Sequence, residues 1–423
     1  MRLKAIINKE IFSWAMFDFA NSSYTTVIIT VMYARYFVNY IVPDETSAVH
    51  LWSVTLSISY FLVAALSPII GAMADYTGQK KKYLLITTLV CVVFTITLYF
   101  VNPGDLFYGM VLIIISNIGF SLGENIISSF LPQITKDEHI GAVSGFGWGL
   151  GYIGGFFAIL GSLAIVSYYG DIPFSYKLIA IFVGFYFALS TIPTFLWLKD
   201  RNISKSSDLN ILEYIRIGNN RLFTTLKHIK EFKELVKLLM AFFFYYGGLT
   251  ILISFSAIYA DKELKFTTEE LIAIFLATNI SSSLGAFLFG ILEDKIGAKR
   301  TLEIILIFWV IIIISIYLNN SKTGFWIISF FAGIGTGGVQ SSTRALVGLF
   351  SPESKLAEFY GFWGLFGKLA SIPGLFVFGI MSNFFGTLKP GLLATAGFFI
   401  IGFILIYFVN EKEGRRHALE YVP

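Results

Sequence analysis

Long apolar runs separated by short polar breaks fill the chain. The runs fall at about 12–38, 51–74, 83–101, 106–130, 141–166, 176–197, 238–260, 268–291, 301–318, 324–350, 358–381 and 391–410. A helix that crosses a bilayer needs about 20 mostly apolar residues, so each run predicts one spanning helix. The breaks are short except 199–237, which parts the twelve spans into six and six. The pattern predicts an all-α polytopic membrane protein. Its parts are an N-terminal six-helix bundle at 1–198, a cytoplasmic linker at 199–237, a C-terminal six-helix bundle at 238–410 and a cytoplasmic tail at 411–423.

Composition agrees. Of 423 residues, 56% are hydrophobic and 14% charged, and the mean hydropathy is +0.74. A soluble domain carries roughly 25% charge. So little charge excludes a soluble enzyme, a disordered chain, a secreted disulfide scaffold and a nucleic-acid-binding module. The single cysteine, Cys91, lies in an apolar run, so no intramolecular disulfide forms. Met1–Glu10 is polar and basic, the apolar stretch after it contains Asp18 and Asn21, and no small-residue cleavage site follows. This reads as a first spanning helix, not a removed signal peptide.

Placed on the predicted loops, 23 of the 31 Lys and Arg residues fall on the side of the termini and the central loop. Five (Lys177, Lys262, Lys265, Lys322 and Lys389) fall on the other. The positive-inside rule then makes both termini cytoplasmic, and a bacterial cytoplasmic membrane is the expected location. In the central loop Lys227, Lys230, Lys233 and Lys237 interleave with Leu226, Ile229, Phe232 and Leu235. That spacing suits an amphipathic helix on anionic lipid, or equally a solvated linker helix.

A repeat underlies the two halves. After span 2 the chain reads Gly71-Ala-Met-Ala-Asp75-Tyr-Thr-Gly78-Gln-Lys80. After span 8 it reads Gly290-Ile-Leu-Glu-Asp294-Lys-Ile-Gly297-Ala-Lys299-Arg300, at an offset of 219. Glycine lets two helices approach closely, and an aspartate near a helix end pairs with bases or with a neighbouring helix N-terminus. The pattern suits a gate, with Asp75 and Asp294 acting on conformation and touching no substrate. A second echo joins Gly145-Phe-Gly-Trp148-Gly-Leu-Gly151 of span 5 to Gly361-Phe-Trp363-Gly-Leu-Phe-Gly367 of span 11.

The paired turns resemble the loop motif of the major facilitator superfamily (MFS). The resemblance implies two pseudo-symmetric six-helix bundles that rock about a central cavity to give alternating access. Spans 1, 4, 7 and 10 would line the cavity, and spans 2, 5, 8 and 11 would form the interface. Three further stretches resemble one branch, the vacuolar-effluxer-like transporters related to the fungal autophagy-linked amino-acid effluxer. They are Trp14-Ala-Met-Phe-Asp18-Phe-Ala-Asn21-Ser-Ser-Tyr24, Val143-Ser-Gly-Phe-Gly-Trp148-Gly-Leu-Gly-Tyr152-Ile-Gly-Gly155, and Gly337-Gly-Val-Gln340-Ser-Ser-Thr-Arg344 with Glu358-Phe359-Tyr360-Gly361 and Phe366-Gly367-Lys368 after it. This resemblance implies efflux of small metabolites, amino acids foremost.

Charges inside spans are costly and usually mark function. Asp18, Asn21 and Thr25 share one face of span 1. Asn117, Ser121, Glu124, Asn125 and Ser128 form a stripe on span 4. Thr336, Gln340 and Arg344 form one on span 10, and Lys368 lies deep in span 11. Adding the offset of 219 to Glu124 lands beside Arg344, so these two are expected to face each other across the cavity as a substrate or coupling site, or as a lock between halves. Tyr245, Tyr246, Asn279 and Ser282 are further candidates for the lining. Gly119-Phe-Ser121-Leu-Gly123 imitates a nucleophile elbow, but inside a spanning helix it lacks the strand–turn–helix that chemistry needs. Gly149-Leu-Gly151-Tyr-Ile-Gly154 likewise follows no strand, and the four histidines are scattered in loops.

The expected function is secondary active transport of a small polar metabolite, amino acids first, with proton-coupled efflux through Glu124. The protein would act as a monomer among membrane lipids, without cofactor, metal or nucleic acid. The alternatives are a carrier of another small solute (organic anion, sugar, peptide or drug) or a non-transporting receptor or scaffold on the same fold.

Overall fold

A computed structural model describes residues 6–42, 45–201 and 211–421. Twelve long helices run through it. The first, α1, starts at Lys9–Ser23, capped by the Asn8 side chain, which accepts from the Ile11 amide at 2.9 Å. It continues through wide π turns at Tyr24–Val31, a short α stretch at Met32–Tyr36 and a second wide stretch at Phe37–Ile41. The β-branched run Thr25–Val31 is stiff and crowds a normal turn. Thr30 donates to the Thr25 carbonyl, five residues back, at 2.8 Å. The other helices are α2 (Glu45–Thr77), α3 (Lys80–Thr97), α4 (Leu106–Ser128), α5 (Ile140–Tyr169), α6 (Pro173–Trp197), α7 (Lys233–Leu264), α8 (Thr268–Ile296), α9 (Ala298–Leu318), α10 (Lys322–Phe350), α11 (Leu356–Phe385) and α12 (Leu388–Tyr407). Among the described residues, ten helices are long and apolar enough to cross a membrane, and α1 and α10 are not among them. Those two carry Asp18 with Asn21 and Gln340 with Arg344. Their polarity is tolerable because it faces protein instead of lipid.

The halves are built alike. In the first, α1 packs on α5 and α6, α3 on α4 and α6, and α2 on α4. Adding six to each label gives the second half: α7 on α11 and α12, α9 on α10 and α12, and α8 on α10. The halves meet along two long seams, α2 against α11 and α5 against α8, with lesser contacts between α5 and α10 and between α4 and α11. Without a hydrophobic drive between helices in lipid, seams depend on small residues that let backbones touch. A Cβ on Gly290 would lie 3.1 Å from the Gly145 Cα, and one on Gly71 would lie 2.9 Å from the Glu358 Cα.

The first and last described residues and the described parts of the linker gather at one end of the bundle. Glu10 takes a two-pronged bond from Arg201, with contacts of 3.0 and 2.8 Å, and Lys81 Nζ bonds the Leu198 carbonyl at 2.7 Å. Arg2, Lys4 and Lys205 lie outside the described residues. The amphipathic stretch read from Lys227 to Lys237 is not one helix. A linker helix spans Ile211–Lys227, a tight turn follows at Ile229–Phe232, and α7 begins at Lys233. The apolar residues of that stretch serve two masters. Phe232 and Leu235 are buried in protein, and the Phe232 ring sits 4.8 Å from that of Phe359, whereas Leu226 stays exposed.

If the α5–α8 seam sets the packing, enlarging Gly290 forces it apart. Gly290→Leu should lower the melting temperature of the purified protein, by about 1–3 kcal/mol of overpacking, with Gly290→Ala losing less. An unchanged melting temperature in the Leu variant would mean the seam is not held shut in this way.

Candidate substrate cavity and gate

One buried ion pair joins three helices. Arg344 of α10 is 1% exposed. Its Nη1 meets Asp18 Oδ2 of α1 at 2.7 Å, while Nε and Nη2 bond Ser144 Oγ and the Ser144 carbonyl of α5 at 3.1 and 2.8 Å. The guanidinium also lies over the rings of Trp14 and Trp148, at 4.6 and 5.3 Å. Gly147 leaves the room this needs, since a Cβ there would sit 2.7 Å from Arg344 Nη2. Each of the three guanidinium nitrogens therefore has a partner. Arg344 does not face Glu124 as the repeat offset predicts. An offset locates a residue along a helix axis but not around it, and the long Arg344 side chain turns toward α1 and α5.

Glu124 lies instead in a central cavity of about 40 Å³ between the halves. Of the residues read from the sequence, Glu124, Asn125, Gln340, Lys368, Tyr245 and Tyr246 line it. Asp18, Arg344, Asn21 and Asn279 lie outside its lining. Asn21 is buried on α1, and Asn279 donates to the Phe275 carbonyl at 2.9 Å. Asn125 Nδ2 donates to Ser67 Oγ at 2.9 Å, and Tyr245 shares a hydrogen bond of 2.7 Å with Thr343. The Lys368 ammonium lies 4.7 Å from the Tyr60 ring. Among the described residues, neither Glu124 nor Lys368 has an ion pair within 4.0 Å. The cavity thus holds one acid and one base, neither locked to a partner. Trp148, Trp363, Phe242 and Thr343 also line it, and the site reading from sequence passed over them. The echo between spans 5 and 11 was the signal for the two tryptophans.

A larger cavity of about 510 Å³ lies toward the end away from the termini, lined among others by Thr30, Arg35, Leu163, Leu252, Phe275 and Thr336. The two cavities follow each other along α10, since Thr336 lines the outer one and Gln340, one turn on, the inner one. Between them the Tyr152 hydroxyl of α5 donates to Gln340 Oε1.

The end with the termini is shut by the repeated turns. Asp75 Oδ2 accepts from the Glu358 amide at the start of α11, at 2.8 Å, and Lys80 Nζ lies 3.1 Å from Asp75 Oδ1 with both side chains buried. Asp294 Oδ1 accepts from the Gly141 amide at the start of α5, at 3.0 Å, and Asp294 Oδ2 from the Ala142 amide at 3.2 Å. Each carboxylate of one half thus caps a helix N-terminus of the other, where orphan amides and the helix dipole favour an anion. Gly78 and Gly297 turn the chain at φ of 65° and 96°, angles glycine adopts without strain. The copies differ in their bases. Lys299 turns away from Asp294: its amide donates to Glu411 at 3.0 Å and its Nζ to the Tyr407 carbonyl at 2.8 Å. Arg300 is exposed.

Twelve helices in two like halves, sealed at one end over a central cavity, define a secondary transporter of the major facilitator superfamily. It is a multi-pass integral membrane protein and not an enzyme. Solved structures share the fold. The proton:xylose symporter XylE superposes with a TM-score of 0.72 at 14% identity, covering 96% of this chain and 97% of its own. FucP, an MFS transporter in the outward conformation, gives 0.69 at 13%, covering 95% and 98%. Within the superfamily the chain belongs to the family described as vacuole effluxer Atg22 like, which matches residues 38–142 and 137–419. An uncharacterized MFS-type transporter of Bacillus subtilis (strain 168), YxiO, is 28% identical over 410 residues, 95% of this chain and 94% of that protein. Autophagy-related protein 22 of Saccharomyces cerevisiae (strain ATCC 204508 / S288c) is 22% identical over 426 residues, 89% of this chain and 80% of that one.

Removing one partner of a buried pair strands the other charge, at a cost of about 3–5 kcal/mol. Asp18→Asn or Arg344→Gln alone should each lower the melting temperature sharply. The double variant should recover much of the loss. Additive losses would show that the two side chains do not compensate each other in the membrane.

Proposed function

We propose that this chain carries a small zwitterionic metabolite, amino acids foremost, across a bacterial cytoplasmic membrane by alternating access, in exchange with or alongside protons. The observation that carries the reading is the pair Glu124 and Lys368. Two opposite charges share a cavity between the halves, without an ion-pair partner among the described residues, and their helices α4 and α11 belong to different halves. A zwitterion between them would tie the halves together, and a cavity without one leaves both charges poorly compensated. The asymmetry of Lys and Arg supports cytoplasmic termini. On that assignment the gate seals the cytoplasmic end, and the larger cavity faces outward.

Proton coupling rests on Glu124. An acid that shares a cavity with a base changes its proton affinity as their separation changes, and rocking of the halves alters the separation of Glu124 from Lys368. Arg344, by contrast, acts as part of a buried brace in this state, so a substrate carboxylate falls to Lys368.

Reconstitution tests the reading: proteoliposomes holding the purified protein should accumulate or exchange radiolabelled amino acids, and inert vesicles across amino acids, sugars and organic anions would overturn it. Glu124→Gln should abolish accumulation driven by a pH gradient yet keep counterflow, because exchange needs no net proton movement. Persistent gradient-driven accumulation would remove Glu124 as the proton carrier. Asp75→Asn keeps the shape of the gate but weakens its capture of the α11 N-terminus. Its transport rate should fall at least several-fold while ligand-induced thermal stabilisation survives, and normal turnover would refute the gating role.

A further inference from the structure

Next to the gate aspartate Asp294 sits a second acid that none of the contacts above involves. Glu293, near the end of α8, is 3% exposed, and neither of its carboxylate oxygens has a hydrogen-bond partner among the described residues. It lies where α8 meets α5, since a Cβ on Gly141 would stand 2.7 Å from the Glu293 Cβ. Ser342 of α10 faces it. The Ser341 and Ser342 hydroxyls are buried and likewise without partners. Unmet buried polar groups are rare and costly, and a charge buried without a counter-ion gives way to its neutral form.

Among the described residues, the groups around Glu293 supply no free counter-ion. Asp294 is an acid, and so is Glu411 of the tail helix, Glu411–Glu420. Arg415 of that helix is already paired with Glu411 at 2.6 Å. His139, before α5, acts on Asp294. Tyr360 of α11 donates its hydroxyl to the Arg344 carbonyl. The repeat sharpens the contrast. By the offset of 219, Glu293 stands where the first copy has Ala74. The first gate buries one acid, Asp75, with one base, Lys80. The second sets two acids side by side, while Lys299 turns to the Tyr407 carbonyl. Neighbouring carboxylates disfavour each other's ionisation.

From this arrangement we infer that Glu293 is a proton-binding site of the closed gate, separate from the cavity acid Glu124. With the α5–α8 seam shut, the carboxyl is neutral and the Ser342 hydroxyl is the acceptor at hand for its O–H. When the seam parts, that O–H bond breaks, the carboxylate keeps the electron pair, and the proton passes to the water admitted there. Closing reverses the step. Acid on the gate side therefore favours the closed gate, and alkali loosens it.

The inference rests on the gate reading, but its test uses neither substrate nor transport. A closed state that binds more protons than the unfolded one loses stability as pH rises. The melting temperature of the purified protein should therefore fall from about pH 6 to about pH 8. Glu293→Gln keeps the shape and never ionises, so it should flatten most of that fall. Glu293→Met, uncharged and of similar length, serves in its place if the Gln variant does not fold. Ser341→Cys in a Cys91→Ser background reports the seam itself. At one pH of about 8, where thiol reactivity is common to both proteins, a membrane-impermeant thiol reagent should label it several-fold more slowly once Glu293→Gln is added. Parallel melting curves with and without Glu293→Gln would overturn the proton site. A flattened curve with unchanged labelling would overturn its hold on the gate. If Glu124→Gln and not Glu293→Gln flattens the curve, the proton sits in the cavity and the inference falls. Inert proteoliposomes would overturn the transport reading and leave these readouts as they are, so the two failures are told apart.

Discussion

In hydrocarbon a charge has no water to spread its field into, so it must find another charge or the end of a helix. That constraint organises this molecule. Asp18 finds Arg344 across three helices. Asp75 and Asp294 find the first amides of α11 and α5. Every one of these contacts crosses from one half to the other, so the same bonds that make the charges tolerable also hold the halves shut at one end. Glu124 and Lys368 make no such contact among the described residues, and they are the charges that line the central cavity.

The two gates are copies in sequence but not in wiring. Asp75 has both a helix end and a buried lysine, whereas Asp294 relies on backbone amides, because its lysine has been drawn to the tail. Both seams therefore have a cap and close glycine contact, and at the α2–α11 seam the capping carboxylate is further paired with Lys80 of its own half. Duplication supplied the shape, and divergence of a few side chains made the two seams unequal.

The helices were legible in sequence because lipid imposes one length and one polarity on every span, and the half-repeat was legible because Gly71–Lys80 and Gly290–Lys299 keep their spacing. What the sequence could not give was rotation. Glu124 and Arg344 occupy matching depths, yet Arg344 turns to Asp18, and only packing of Trp14, Ser144 and Gly147 around its fork decides that. The linker departs for a related reason: Phe232 and Leu235 suited a lipid-facing stripe and a solvated linker helix equally, but an apolar residue does not state whether it meets lipid, water or protein. Trp148 and Trp363 stand in the sequence only as parts of a glycine-rich echo, and it takes the packing of α5 and α11 to bring both rings to the cavity.

The tail helix, Glu411–Glu420, is joined to this machinery more closely than a terminus usually is. Glu411 receives the Lys299 amide, Glu413 pairs with Lys233 at 2.8 Å, Gly414 packs on Phe350, and the Tyr421 ring lies tilted 5.3 Å from that of Phe232. These partners belong to the start of α9, the start of α7, the end of α10 and the turn before α7. Three helices of one half are therefore laced to a single short peptide at the surface. If the halves rock as proposed, residues 411–421 work as an external pointer for that half: a dye there would follow the movement, and a bulky group there would load it.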